Sequence, residues 1–275
     1  MKNTGVILGY RATDYVGGTL PYEVLVPDGN WLPWLPPGEW QKINTLDTMA
    51  CVTFSALNVL ETLYYFKTGT RRNFADRYTA RMSGTTPEGN WLWKVGDSIR
   101  KDGLVDESEW PTPPSPTWET YYATPPIEVI NKAKDFLKEW EVKYESVDFS
   151  RDSLIYHLKQ SPIQVVFPSH AVMLFTTTAQ VYKYFDSYSP FIKERQDGFV
   201  TAFKYVLRKV VMRFVKVGAT GVEVWCVVNG KRSLVYNALG FTIISGDWAK
   251  IEVVTQAQLD AIPDTGSVIV GAAQE

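Results

Sequence analysis

Val52, Phe54, Ala56, Val59, Leu60, Leu63 and Tyr64 recur at three- and four-residue steps, which predicts a helix from Cys51 to Phe66 with Gly69 just beyond it as a stop signal. Asn73 to Met82 and Trp91 to Lys101 predict two more helices, with Ser83 to Asn90 as the loop between them. Ile127, Ile130, Ala133, Phe136, Leu137 and Trp140 mark a fourth, and Ser150 can cap a short one reaching Gln160. From Lys143 the character changes. Lys143–Val147, Ile163–Phe167, His170–Thr176, Val181–Phe185 and Phe203–Phe214 read as strands from their β-branched and aromatic content. One half of the chain is therefore helical and the other mainly sheet.

Two stretches do not fit either period. Residues 1–45 lack helical spacing and are broken by Pro21, Pro27, Pro33, Pro36 and Pro37, so they form a wrapping arm that Trp31, Trp34 and Trp40 pin to the body or hold out to a partner. Pro111, Pro113, Pro114, Pro116, Pro125 and Pro126 make the second stretch a stiff connector that neither a helix nor a central strand can cross. Beyond about Val215 a third pattern begins, with a strand over Val222–Val228, a hairpin turn at Asn229-Gly230 and a return strand over Lys231–Tyr236. Gly240-Phe241, Asp247-Trp248, Ile251–Val254, Leu259 and Ile262-Pro263 continue it as a small β-rich module.

Composition excludes several classes. With 45% hydrophobic and 21% charged residues over 275 positions, the chain is an ordinary globular one of one or two domains. A net charge of −2 does not make a nucleic-acid surface, no apolar run spans a membrane, and Met1-Lys2-Asn3-Thr4 is not followed by the apolar core of a signal peptide. Cys51 and Cys226 are the only cysteines, so a disulfide framework is not expected. These features predict a cytoplasmic or virion-associated protein with no cofactor and no metal.

Cys51 is the candidate for chemistry. In the first turn of a helix, unpaired N–H groups and the positive end of the macrodipole favour a thiolate. The alternative is a cysteine that simply fills the core. The phrase Cys51-x-x-Phe54-Ser55-Ala56-x-x-x-Leu60-Glu61 resembles the nucleophile helix of papain-like cysteine peptidases, with Val52 in place of that family's Trp and Asp47–Ala50 in place of its Gly/Cys/Ser-rich approach. Asp102-Gly103 through Trp110-Pro111 resembles a second family segment. In the family the loop before it lines the substrate cleft, which makes Gly89 and Asn90 cleft candidates. Ser169-His170-Ala171-Val172 is similar to the phrase Asn-His-Ala-Val, and Asp186-Ser187-Tyr188 to Asn-Ser-Trp. His170 lies 119 residues after Cys51, slightly early against the family interval of about 130–150.

The resemblance implies an α+β, papain-like two-lobed domain over 1–214, with a helical lobe and a β-sheet lobe, followed by the β-rich module at 215–275. It implies acyl transfer from a peptide or protein substrate, with Cys51 as nucleophile, His170 as proton carrier and Asp186 orienting the imidazole. The tetrahedral oxygen would be held by the Cys51 N–H and, in the family, by a Gln six residues earlier. Position 45 is Thr45, so Gln41 and Asn44 are the candidates. Glu61 and His157 are assigned to structure. The terminal module resembles those of bacterial and phage surface proteins and suggests docking to an assembly or cell surface through 215–275. Two rival functions stand beside the peptidase: a structural part of a larger assembly, such as a virion, that keeps the fold with weak or no activity, and a hydrolase of cell-wall peptides.

Overall fold

The computed structural model describes residues 5–8, 23–221, 223–235 and 251–269. Helix α1 runs Cys51–Thr68 and stops where Gly69 takes φ +70° and returns its N–H to Tyr65 O at 2.8 Å. The apolar stripe read from the sequence is only part of its surface. Thr53, Ser55, Asn58, Glu61 and Thr62 are buried as well, so α1 is a central helix enclosed on all sides. Its polar groups pair locally: Ser55 Oγ donates to Cys51 O at 2.7 Å, Thr62 Oγ1 to Asn58 O at 2.7 Å, and the Phe74 N–H to Glu61 Oε1 at 2.7 Å.

The arm reaches α1 through one 3-10 turn, Leu32–Trp34. Trp31 is fully buried and donates Nε1–H to Leu158 O at 2.6 Å, while its ring meets those of Trp34 and Phe66 edge-on. Trp40, the third expected pin, is 53% exposed and only leans on Phe191. A small hairpin, β1 (Lys42–Ile43) with β2 (Leu46–Asp47), precedes α1. Helices α2 (Asp76–Met82) and α3 (Leu92–Asp102) pack on α1.

The proline-rich connector departs from the expectation, because a four-residue helix, α4 (Trp118–Tyr121), fits between Pro116 and Pro125. Thr117 and Thr120 cap each other reciprocally, which supplies the turn with the hydrogen bonds that proline denies its neighbours. Arg77 holds the connector down by donating to Pro111 O, Thr120 O and Tyr121 O, with its guanidinium 3.7 Å above the Trp110 ring. Helix α5 (Ile127–Glu139) closes this lobe.

The second lobe is a sheet in the order β3-β8-β4-β5-β6-β7, where β3 is Trp140–Val147, β4 Ile163–Phe167, β5 His170–Thr177, β6 Tyr182–Phe185, β7 Ile192–Arg195 and β8 Thr201–Lys209. Helix α6 (Arg151–Leu158) connects β3 to β4. Ser150 does not cap it through its side chain as expected; the hydroxyl donates instead to Asp148 Oδ2 at 2.7 Å. Strand β7 escapes sequence reading because it is a four-residue edge strand of mixed charge, Ile-Lys-Glu-Arg. The run Phe203–Phe214, expected as one strand, is two: β8, and β9 (Met212–Val217) in a different sheet. The parity of the apolar positions switches at Lys209, from Phe203, Tyr205 and Leu207 to Val210, Met212 and Phe214, where the chain changes sheet.

The chain divides into two compact units, Met1–Arg208 and Lys209–Glu275. In the second, β10 (Val224–Val228) turns through Asn229 and Gly230, both at positive φ, into β11 (Lys231–Val235). With β12 (Glu252–Val254), β13 (Asp264–Ile269) and the short helix α7 (Gln256–Asp260), these give the order β12-β9-β10-β11-β13. Cys226 is buried on β10, and its thiol is pushed up by burial. Tyr236, Gly240-Phe241 and Asp247-Trp248, assigned to this module from the sequence, lie outside the described residues.

Beneath α1 and α2 lies a cluster of carboxyl groups. Burial raises Glu61 and Asp76 well above the ordinary carboxylate range, and the nearby charge of Glu39 adds to the rise. A carboxyl group raised in the folded state contributes stability that is present below its unfolded pKa and lost as pH climbs through the folded one. Glu61→Gln keeps an acceptor for the Phe74 N–H without the charge. The variant should be more stable than the native protein at pH 8, with the difference shrinking towards pH 4 in urea-unfolding midpoints. A variant less stable at pH 8 would mean that Glu61 is ionised and paired.

Candidate active site

Two turns in left-handed backbone deliver the two chemistry-bearing residues. Met49, at φ +56°, precedes the N-cap Ala50, and Cys51 is the first residue of α1. Ser169, at φ +71°, forms with Pro168 the turn between β4 and β5, so that His170 opens β5 opposite Phe167. Such a conformation costs a non-glycine residue on the order of 1–2 kcal/mol and persists only where its surroundings fix it. At Met49 the N–H donates to Asp47 Oδ1 at 3.3 Å. The first turn of α1 is tied to the sheet by Gln164 of β4, fully buried, whose Nε2 donates to Val52 O and Ser55 Oγ at 2.8 Å each. Tyr205 holds the other end of that amide, its hydroxyl donating to Oε1 at 3.0 Å.

His170 and Asp186, far apart in sequence, are brought together. His170 Nε2 lies 2.7 Å from Asp186 Oδ1, and both side chains are nearly fully buried. Asp186 Oδ2 takes a second contact of 2.7 Å from Lys193 Nζ on β7, and Oδ1 accepts the Tyr188 N–H at 3.2 Å. Burial alone would raise the Asp186 pKa, but the His170 and Lys193 contacts outweigh it and hold the carboxyl below its ordinary value. Neither Lys193 nor Asp47 was singled out from the sequence.

Tyr188 stands between the pair and the approach to α1. The Tyr188 ring sits 5.5 Å from the His170 ring, and its hydroxyl donates to Asp47 Oδ2 at 2.7 Å. Burial raises the phenol's pKa, the bond and charge of Asp47 raise it further, and so do charges on Cys51 and Asp186. Tyr188 thus touches the His170 ring, Asp47 and Asp186, while Cys51 acts on it through charge.

The hairpin explains how Gln41 reaches this group from ten positions before Cys51. β1 and β2 fold residues 42–47 out of the path, and the Thr48 N–H donates to Gln41 O at 3.3 Å, so Gln41 lies beside a residue only three before the cysteine. Its side chain is fully buried, with Nε2 donating to Asp47 Oδ1 at 2.9 Å and Oε1 accepting from Ser187 Oγ at 3.0 Å. The same fold carries Asn44 to the exposed hairpin tip, where its amide donates to Pro114 O at 3.1 Å. Asn44 thus has no place in this group.

Gly89 and Asn90 line a rim that the arm covers. Val6 pairs with Asn90, the Ile7 N–H donates to Asn90 O at 2.8 Å, and the Asn90 N–H donates to Gly5 O at 2.8 Å. The Asn90 side chain is itself used up on Ser83 and Thr85. Gly5 fits only because it lacks a side chain, since a Cβ there would sit 1.9 Å from Met49 O. Cys51 has no exposed surface. An open cleft of about 600 Å³ is lined by Lys42, Asp47, Phe167, His170, Tyr188 and Lys193 among others, and Cys51 does not line it. His157 stands apart on α6, with Nδ1 3.2 Å from Gln160 Nε2 and its pKa lowered to about 4, chiefly by burial. Among the described residues no three His, Cys, Asp or Glu side chains are arranged to hold a metal ion.

No family model and no curated protein matches the sequence. Solved structures match the fold. Digestive procathepsin L 3 of Tenebrio molitor larval midgut superposes with a TM-score of 0.52 at 13% identity, over 74% of this chain and 76% of that one. A recombinant stem bromelain precursor gives 0.50 at 14% identity, over 70% of this chain and 77% of that one. The fold is α+β and papain-like, with a helical lobe and a sheet lobe, and carries in addition a small C-terminal β-rich module.

Proposed function

We propose that this chain is a cysteine peptidase in which Cys51, His170 and Asp186 act together. The observation that carries the reading is the buried contact between His170 Nε2 and Asp186 Oδ1. A proton held there fixes the ring plane and the tautomer, and proton exchange with the Cys51 thiol falls to Nδ1. The Cys51 sulfur attacks a peptide carbonyl, forming a C–S bond. The tetrahedral intermediate then breaks its C–N bond as Nδ1–H passes its proton to the departing amine. Water next attacks the thioester while His170 takes up its proton, and the thiolate leaves. Donors for the intermediate's oxygen are the Cys51 N–H at the start of α1 and the Gln41 amide, one hydrogen of which goes to Asp47. Residues 5–8 pack on Asn90 and on the Met49 backbone two positions before Cys51, so displacing them opens the approach to the thiol.

The full cover over Cys51 favours a second reading, in which the fold is retained as part of a larger assembly docked through the second unit. One assay separates the two. Fluorogenic peptides are offered to the native chain and to Gly5→Val, whose side chain cannot fit against Met49, each with and without Cys51→Ala. Turnover in the native chain or faster turnover in Gly5→Val, abolished by Cys51→Ala, supports the peptidase. No turnover in either across a broad peptide library overturns it.

A further inference from the structure

The residue that orients His170 is a carboxylate where the resembled family has an amide, and a buried carboxylate carries a charge that an amide does not. Left alone, the charge of Asp186 would favour the imidazolium over the neutral ring, as an opposite charge at this range does. An imidazolium held that tightly gives up its proton to a departing amine poorly and is a scarce base near neutral pH. The structure holds a compensating group. β7 pairs with β6 so that Lys193 stands opposite Tyr184, and its ammonium reaches Asp186 Oδ2 at 2.7 Å, the same distance at which Oδ1 meets His170. The two contacts occupy the two oxygens of one carboxylate whose side chain is 4% exposed; the Lys193 side chain is 25% exposed, so solvent screens its contact only in part.

We propose that Lys193 is a positioning residue that neutralises Asp186, so that His170 meets an oriented acceptor with almost no net charge and behaves as it would beside an amide. Other charged or titratable groups face the pair: Cys51 from α1, Lys42 and Asp47 from the β1–β2 hairpin, Tyr184 from β6, Tyr188 from the following loop and Arg195 from β7 over the Phe167 ring. Asp47 is engaged by Gln41 and Tyr188. Of these groups, Lys193 alone is bonded through its side chain to the Asp186 carboxylate. Asp for amide at 186 and Lys at 193 are then one change in two places.

The role rests on reading His170 as the proton carrier, and its test needs no turnover. The chain has two histidines, and the resonance missing from His170→Ala is that of His170. Proton NMR titration is run on the native protein, Lys193→Met, Asp186→Asn and the double variant. Lys193→Met should raise the His170 pKa by about 1 unit or more, and Asp186→Asn should lower it. The double variant should return close to native, because net charge is again zero. Lys193→Arg should leave the titration unchanged. A His170 pKa unmoved by Lys193→Met in a protein with native dispersion, or a double variant no closer to native than the single ones, overturns the proposal. If the pKa values move as stated while no peptide is cleaved, Lys193 keeps this electrostatic role and the peptidase reading falls.

Discussion

In His170→Ala, alkylation of Cys51 by iodoacetamide at pH 6 should slow by roughly 10-fold. A thiol with the free pKa of about 8.5 is only about 0.3% thiolate at pH 6, whereas one paired with an imidazolium at a helix N-terminus is largely ionised. The lower intrinsic nucleophilicity of a low-pKa thiolate trims that ratio without cancelling it. Cover does not blur the comparison. Cys51 has no exposed surface, so labelling of either protein reports the fraction of time the site is open multiplied by the thiolate fraction, and the substitution acts on the second. Cys226, buried in the second unit with its thiol raised, is the internal control and should label slowly in both proteins. Peptide mapping after timed quenching reads the two sites separately. Equal rates at Cys51 with and without His170 would leave the thiol un-ionised at rest and remove the basis of the mechanism.

Cys51 and His170 stood out in the sequence because each sits at an edge that local rules mark. Cys51 stands where an apolar stripe begins, and His170 stands before an unbroken strand. Asp186 was found through its phrase, Asp-Ser-Tyr. Gln41, which needed the intervening loop to bulge, and Asn44 were both candidates, and the hairpin puts Gln41 beside Thr48 and Asn44 at its exposed tip. A six-residue excursion moves the chain's contact from position 44 or 45 to position 41, and two-residue strands such as Lys42–Ile43 have no periodicity to read. Lys193 was invisible for a similar reason. On a four-residue edge strand an alternating lysine looks like any solvated charge, and its meaning comes from the register that sets it opposite Tyr184. The cover over Gly89 and Asn90 was equally hidden, because a backbone pairing such as Val6 with Asn90 draws on no side chain at all.

Position was also what the sequence could not supply for the buried ion pair of the sheet lobe. Lys204 on β8 and Glu145 on β3 are 2% and 0% exposed in their side chains and meet at 2.6 Å, with Lys204 Nζ donating as well to Gln160 Oε1 at 3.0 Å. Alternation assigns Lys204 to a strand without revealing that its side chain faces inward. Removing one member of such a pair strands the other charge in a dry interior, which costs about 3–5 kcal/mol, whereas replacing both with apolar residues of similar volume is often neutral or better. Lys204→Met should therefore destabilise the first unit by about 3–5 kcal/mol at pH 7, and Glu145→Leu with Lys204→Met together by far less, in a double-mutant cycle of urea-unfolding free energies. The loss in Lys204→Met should shrink as pH falls, because the stranded Glu145 then takes up a proton. His157 supplies a second reading of the same event. Its pKa is lowered first by burial and next by the charge of Lys204, so in Lys204→Met its titration should move up from about 4. Stability and the His157 titration both unchanged would mean that water reaches the pair and screens it, and that the sheet lobe is held together by apolar contacts alone.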